Sequence, residues 1–339
     1  MLFSICIPVR NDLSNLKRCL AGFSNQDLSD SEVLICDDGS TPAITMRDLD
    51  GIQVACTLVH QSWQGPAAAR NRLATIACGS YLFFVDADTV PRVDTLEQAR
   101  RIIAKHRQID AFYGSYDDEP AARSLVSTYK NLLHHYTHHQ AVTAERITTF
   151  WCGCGVIRRE LYLECGGLSE FYDKPSIEDI ELGYRLNALG VAIRVFPQCQ
   201  VKHLKRWTFV NMLYTDLFRR GIPWVRLMRA RGEWASQLNF SWSQRIANVA
   251  AAAFLLCGLL AFVRVGFAGV ALLALAIFVV TNFSFFRLVR QKRGVSAFVV
   301  AIPLHIMYAL VCIVSVAAAF VYPRLKLPPQ PALQSNRGQ

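Results

Sequence analysis

YLFFVDAD, residues 81–88, is an apolar run of five that ends without a spacer on two carboxylates, Asp86 and Asp88. So short a run of aromatic and aliphatic residues predicts a strand buried on both faces, as in a parallel sheet. The carboxylates then stand at its carboxyl end, where ligands bind in open α/β sheets. Two like charges one residue apart beside a hydrophobic strand repel each other and lose hydration. A divalent cation relieves both costs. Asp86 and Asp88 are therefore candidate ligands for Mg²⁺ or Mn²⁺, hard ions that take oxygen donors and keep positions open for phosphate oxygens. Taken alone, the same spacing also fits a strand followed by a helix-capping aspartate.

The pattern repeats on the amino-terminal side. Residues 3–9 (FSICIPV) and 33–36 (VLIC) read as strands, and the second runs into Asp37-Asp38-Gly39-Ser40, a turn sequence. Residues 54–59 predict a third strand. Helices are expected over 13–23, over 66–77 with Pro66 in the first turn, and over 94–105. Further on, strands are expected over 111–115 and 191–196, and helices over 121–140 and 178–190. Such alternation predicts an α/β domain, a parallel sheet covered by helices. The apolar start at residues 2–9 is short, has no basic region before it and stops at Arg10 and Asn11, so it reads as a first strand rather than a leader.

Charge divides the chain. Lys plus Arg number 36 and Asp plus Glu 26, a net +10, but residues 1–201 carry 19 basic and 24 acidic side chains whereas residues 202–339 carry 17 and two. The second part also holds three stretches without formal charge, 246–263, 265–286 and 294–323, each near or above the roughly 20 residues that span hydrocarbon. Basic, apolar and aromatic residues together predict a membrane and its anionic surface rather than nucleic acid. Disorder and a purely soluble enzyme are excluded. Residues 207–231 predict one or two amphipathic helices interrupted at Gly221 and Pro223. Arg219, Arg220, Arg226 and Arg229 fall mostly off the apolar stripe, free to meet lipid phosphates. Arg287, Arg290, Lys292 and Arg293 make a basic loop of the kind that stays cytosolic. The expected topology is thus three crossings (246–263, 266–286 and 295–322), with the amino-terminal domain cytosolic and the tail outside. Pro303 and His305 leave a kinked or re-entrant third segment as the alternative.

The eleven cysteines are scattered singly, an odd number without framework spacing, which argues for a reduced compartment. Cys152 and Cys154 lack the second ligand pair that a zinc site needs. The segment 152–155 suits either close backbone approach beside an acceptor or a buried glycine-rich strand. His134, His135, His138 and His139 share helix faces, without a carboxylate or cysteine beside them. A phosphate-binding helix and a plain exposed polar face are the readings to weigh against a metal.

With SICIPVRND, LICDDGST, GPAAARNRLATIACGSYLFFVDADTVP and SIEDIELGYRLNALG in this order, the chain resembles the inverting family 2 glycosyltransferases of GT-A fold over about residues 1–231. The resemblance implies that Pro8 and Asp38 border the nucleotide base, that Asp86 and Asp88 hold ribose and metal, and that Arg70 lies near the nucleotide. It makes Asp179, of the pair Glu178-Asp179, the catalytic base. A single displacement needs one group to take the acceptor proton and another to neutralise the leaving diphosphate. Acidic residues in a helix first turn also have a plain structural use. His203-Leu204-Lys205-Arg206-Trp207 stands where processive members carry Q-x-x-R-W. Arg206 would then pair with the diphosphate, and Trp207 would face the acceptor or anchor a helix. His203, replacing Gln, is a further metal or phosphate contact or a polar residue at a strand exit.

The expected organisation is a cytosolic catalytic domain (1–201), interfacial helices (202–244), a transmembrane region (245–323) and a flexible tail (324–339). The expected activity is metal-dependent transfer of a sugar from a nucleotide-diphosphate sugar to a membrane-resident acceptor, such as a polyprenyl phosphate or lipid-linked glycan, at the inner or plasma membrane. A processive polysaccharide synthase is the nearest alternative; it would want more spans, which a homo-oligomer would supply. A catalytically silent membrane scaffold on the same fold is the reading from another class, opposed by the intact Asp86, Asp88, Glu178 and Asp179.

Overall fold

The computed structural model describes residues 1–143, 147–172, 175–234, 241–323 and 325. The chain forms two compact units. One comprises Met1–Ala121 and Ala141–Lys205, the other Ala122–Gln140 and Arg206–Lys326. The expected boundary after residue 201 thus falls at 205, and the 122–140 segment, expected within the catalytic domain, belongs to the helical unit. Except for residue 325, the expected tail 324–339 lies outside the described residues.

The first unit is built on strands β1 (Phe3–Val9), β2 (Ser31–Asp38), β3 (Thr57–Gln61), β4 (Tyr81–Val85), β5 (Thr89–Pro91), β6 (Ala111–Tyr116), β7 (Cys154–Arg158) and β8 (Ile193–His203). They form one sheet in the order β3-β2-β1-β4-β7-β6-β8-β5. The first four are parallel, β7 runs antiparallel to both of its neighbours, and β5 pairs antiparallel with β8. The sheet is therefore mixed. Helices α1 (Leu13–Ala21), α2 (Pro66–Ile76), α3 (Thr95–Lys105), α5 (Arg159–Glu164) and α6 (Glu178–Ala188) complete the unit; α4 (Leu125–Gln140) belongs to the second unit.

Residues Phe3, Ile5, Ile7, Phe83, Val85, Phe112, Val156 and Val201 form the centre of the core, all buried. Burial of β1 and β4 on both faces explains why neither strand alternates apolar with polar residues. The third strand begins at Thr57, three residues later than expected, and β8 continues to His203 past the expected end at 196. That extension carries His203 to the site.

Gly114 shows what the packing requires. It lies where the pairing of β6 with β8 shifts register, and a Cβ there would sit 1.9 Å from the Cys199 carbonyl oxygen and 3.0 Å from Cys154 Sγ. Glycine at an irregularity in a strand is the usual answer to such an approach. Gly114→Ala is expected to destabilise the unit by about 1–3 kcal/mol through overpacking, read as a lowered denaturation midpoint with an unchanged denaturant slope.

In the second unit α7 (Phe209–Tyr214), a π-helical stretch (Thr215–Gly221) and α8 (Ile222–Arg231) run on without a gap. The expected interruption at Gly221 and Pro223 becomes a widened turn, which accommodates the missing Pro223 N–H without ending the helix. Helices α9 (Trp242–Leu260), α10 (Gly266–Thr281) and α11 (Phe283–Val321) follow. By length and composition α9 and α11 are sufficient to cross a membrane, and α10 is an apolar helix of 16 residues. The basic residues 287–293 lie on α11 itself, not in a loop, and α11 is broken only by the non-helical Gly294 (φ 81°, ψ −173°).

Candidate active site

At the carboxyl ends of the parallel strands, the two aspartate pairs are handled differently. Asp37 accepts from the Ser40 and Ile44 N–H groups, each at 2.9 Å. Burial opposes its charge, but these bonds prevail and hold the carboxyl below its ordinary range. Asp37 therefore shapes the Asp37–Ile44 turn. Gly39 within it takes φ +73°, with its would-be Cβ 2.7 Å from the Trp63 nitrogen, so only glycine fits. Asp38 is buried and accepts from Gln61 Nε2 (2.8 Å) and the Gln64 and Gly65 N–H groups (each 2.9 Å). It ties β2 to the loop that opens α2. Pro8 pairs in register with Cys36 in the neighbouring strand. Beside these strand ends the Arg10 guanidinium stacks over the half-exposed Trp63 ring at 4.6 Å, an arrangement the sequence did not signal because Trp63 lies in an unpatterned loop.

Asp86 and Asp88 also part company. Asp86 Oδ1 accepts from Arg70 Nη2, while Arg70 Nη1 lies 3.9 Å from Glu178 Oε1. Arg70, on the buried face of α2, thus bridges the end of β4 and the start of α6. Its burial disfavours the charge, yet the carboxylates of Asp86 and then Glu178 and Asp179 outweigh that and raise its pKa. Glu178 is itself buried, which pushes its carboxyl up, with Arg70 opposing; its Oε2 accepts from the Ser176 N–H at 2.8 Å. Asp179 is more open than Glu178 and accepts from the Ile180 N–H at 2.8 Å.

Asp88 meets His203. The β5–β8 pairing sets Thr89 opposite His203, the Leu204 N–H donates to the Asp88 carbonyl at 2.8 Å, and His203 Nε2 stands 3.6 Å from Asp88 Oδ2. The imidazole stacks on Tyr116, with centroids 4.3 Å apart and planes 17° apart. Burial raises the Asp88 carboxyl, but the interactions with His203 and then Lys205 prevail and hold it below its ordinary range. Tyr116, which sequence reasoning missed, is visible only once β6 and β8 are known to pair.

Among the described residues, no group of three or more His, Cys, Asp and Glu side chains is gathered as a ready cation cage. The carboxylate and imidazole of Asp88 and His203 are a donor pair suited to a divalent cation whose other ligands come from a diphosphate and water. Asp86, turned to Arg70, is the less direct of the expected ligands. Cys152 and Cys154 are buried, and a Cβ on Gly155 would sit 2.4 Å from the Trp151 carbonyl, as in a tightly packed glycine-rich strand.

Arg206 and Trp207 belong to the helical unit. Arg206 is exposed. Trp207 is buried, its N–H donating to Ser127 Oγ at 2.7 Å and its carbonyl accepting from the same hydroxyl at 3.1 Å, so it anchors the start of α7 on α4. The histidine cluster is not an exposed polar face. His134 and His135 are buried, His134 Nε2 accepts from Arg220 at 3.1 Å, and His139 Nδ1 donates to the His135 carbonyl at 2.9 Å. Burial, with Arg220 nearby, pushes His138 down to about 3, so its ring is neutral and offers no positive charge to a phosphate.

The bridge predicts a pH-dependent stability. Arg70→Met is expected to cost about 3–5 kcal/mol, the penalty of breaking a buried ion pair. The loss should deepen as pH rises through the elevated Glu178 pKa, because only the ionised carboxylate needs the cation. Unfolding of both proteins at acidic and neutral pH measures this; a pH-independent difference would assign Arg70 to packing alone.

Residues 4–166 match the family model described as Glycosyl transferase family 2. A pre-mycofactocin glycosyltransferase of Mycobacterium tuberculosis is 27% identical over 232 residues, covering 64% of this chain and 46% of that protein. A PGL/p-HBAD biosynthesis glycosyltransferase of Mycobacterium bovis is 31% identical over 117 residues, 33% of this chain and 46% of that protein. The chain thus spans about half the length of these relatives. A mannosyltransferase from Pyrobaculum calidifontis, solved in complex with GDP-Man and Mn²⁺, superposes with a TM-score of 0.54 at 17% identity, covering 94% of this chain and 86% of that one. That likeness shows the fold.

Proposed function

From the match of residues 4–166 to Glycosyl transferase family 2 and the shared fold we propose that the chain is a GT-A glycosyltransferase performing a metal-dependent, inverting transfer of a sugar from a nucleoside-diphosphate donor to a lipid or lipid-linked acceptor at a membrane. The observation that carries the reading is the convergence of Asp88 with His203, and of Asp86, through Arg70, with Glu178 beside Asp179. The apolar helices of the second unit support a membrane-resident acceptor. The mycobacterial relatives and the Pyrobaculum enzyme are glycosyltransferases by name, and the latter holds GDP-Man and Mn²⁺.

In this reading Asp88 and His203 would hold Mn²⁺ or Mg²⁺, which would supply neutralisation of the leaving diphosphate. Asp179 accepts the proton of the acceptor hydroxyl, whose oxygen attacks the anomeric carbon as the bond to the diphosphate oxygen breaks on the opposite side. Glu178 is too well occupied by Arg70 and the Ser176 N–H to share that role, and instead fixes the first turn of α6. Arg70 orients Asp86 from behind. The domain at the strand ends, Asp38 included, forms the nucleotide side by stiffening the loop rather than by lending free oxygens.

The test incubates the purified chain in lipid with a panel of nucleotide sugars, Mn²⁺ or Mg²⁺ and a membrane lipid extract. A labelled, lipid-extractable product is expected. Absence of both transfer and donor hydrolysis across the panel would favour the silent scaffold.

A further inference from the structure

Within the helical unit, the three apolar helices have different neighbours. Helices α9 and α10, joined by residues 261–265, pack against each other as a hairpin whose tip is almost bare: Phe262, Val263 and Val265 are 83–90% exposed. At 1.5 Å per residue the two helices are about 28 and 24 Å long, close to the thickness of a hydrocarbon core. No charge interrupts them between Arg245 and Arg287 except Arg264 at the tip.

Helix α11 is the longest of the three and apolar enough to cross, yet beyond Gly294 it is lined by ionic partners. His305 is bonded through Nδ1 to the Tyr129 hydroxyl of α4 and through Nε2 to Asn282, both at 3.0 Å. Asn282 also accepts from Gln244, at the start of α9, at 3.2 Å. His305 therefore lies level with the base of the hairpin. From there α11 continues along the charged helices. Lys130 stands over the Tyr308 ring at 5.5 Å and pairs with Asp216 at 2.5 Å. A Cβ on Gly221 would fall 2.1 Å from Ser315 Oγ. Arg229 donates to the Ala319 carbonyl and Arg226 to the Pro323 carbonyl, the latter at 3.3 Å. Phe320 stacks on Trp234. Were 295–321 a crossing, the paired Lys130 and Asp216 beside Tyr308, midway along it, would lie in hydrocarbon, at about 2.5–3.5 kcal/mol or more for each charge near the centre, and Arg226 and Arg229, bonded to its last turn, would have to be carried to the far face. Both ends of α4 join the catalytic unit by unbroken chain, so α4 and the helix lying on it are on that unit's side of the membrane.

We propose that the chain crosses the bilayer twice, by the α9–α10 hairpin alone, and that residues 295–321 lie along the near membrane surface. The end of α11 is then on the side of the catalytic unit. This differs from three crossings with the tail outside, and it holds whatever the donor or acceptor. Arg226 and Arg229 fasten the end of α11, where cations suit the exposed carbonyls, rather than standing free for lipid phosphate. Val295, Val299, Val314 and Phe320 of α11 and Val210 and Phe218 of the α7 region remain exposed, apolar surface suited to the headgroup boundary.

The test uses the full chain with Val263→Cys, exposed at the hairpin tip, and Leu325→Cys, partly exposed just beyond the end of α11. Sealed right-side-out and inside-out vesicles carrying it are treated with a membrane-impermeant maleimide. The exposed native Cys78 reports the side of the catalytic unit, and each site is identified by peptide mass. The expected result is labelling of position 325 together with Cys78 from one side and of position 263 from the other only. Labelling of 325 with 263 would establish three crossings and overturn the proposal. Labelling of 263 with Cys78, or protection of 263 from both sides, would show that the hairpin does not cross and would overturn it equally.

Discussion

Asp179→Asn is expected to lower turnover by about 10²–10⁴-fold, the range supplied by a positioned general base. The donor dissociation constant should stay within about twofold, because the proton moves only in the transition state. The substitution keeps an oxygen able to accept from the Ile180 N–H, as Asp179 does at 2.8 Å, so the first turn of α6 should persist. Glu178→Gln is the control. Since Glu178 is buried and faces Arg70, its replacement should disturb stability and the placement of Asp86 without removing the proton acceptor. Single-turnover rates and donor titrations on both variants separate the roles. A wild-type rate in Asp179→Asn, or a parallel loss of donor affinity, would move the base elsewhere.

Chelation is expected to abolish transfer, with recovery on adding Mn²⁺ or Mg²⁺, and Asp88→Ala should reduce transfer by about 10²–10³-fold, as when one stabiliser of developing charge is removed. Full activity in chelator would end the metal assignment. The variant also tests stability. Electrostatic relief is not the expected gain, since Asp86 already has Arg70 and Asp88 has His203. The Asp88 pKa is held down in the folded state, so its stabilisation is present above its unfolded value, about 3.9, and disappears as pH falls through the lower folded value. Asp88→Ala should lack that acid-limb loss, which unfolding followed from about pH 5 to about pH 2 will show.

Much of the catalytic unit was legible because its determinants are local. Parallel strands buried on both faces need uninterrupted apolar runs, so β1, β2 and β4 could be read with the carboxylates at their ends. Helix α2 announced itself by Pro66 and its alanines, and α6 began at Glu178 as its acidic first turn predicted. The short β5 was not foreseen: three residues carry no periodicity, and it exists because β8 lies beside it. The same pairing joins His203 to Asp88, 115 positions apart in sequence.

What the sequence determined by itself was the kind of protein: an α/β catalytic domain with carboxylates at strand ends, and a basic, apolar carboxyl-terminal part. Which oxygen meets which cation was decided only by the tertiary structure. Asp37 and Asp38, adjacent and chemically identical, serve different loops because successive residues of a strand point to opposite faces. Arg70 became a bridge because α2 brings it between β4 and α6. In the helical unit, hydropathy registers apolar side chains but not the surfaces laid against them, so it treats α9 and α11 alike. The difference lies in partners distant in sequence: α9 meets the other apolar helices, whereas α11 also meets Lys130 and Arg229, and the cost of taking those partners' charges out of water is set by packing that no single segment encodes.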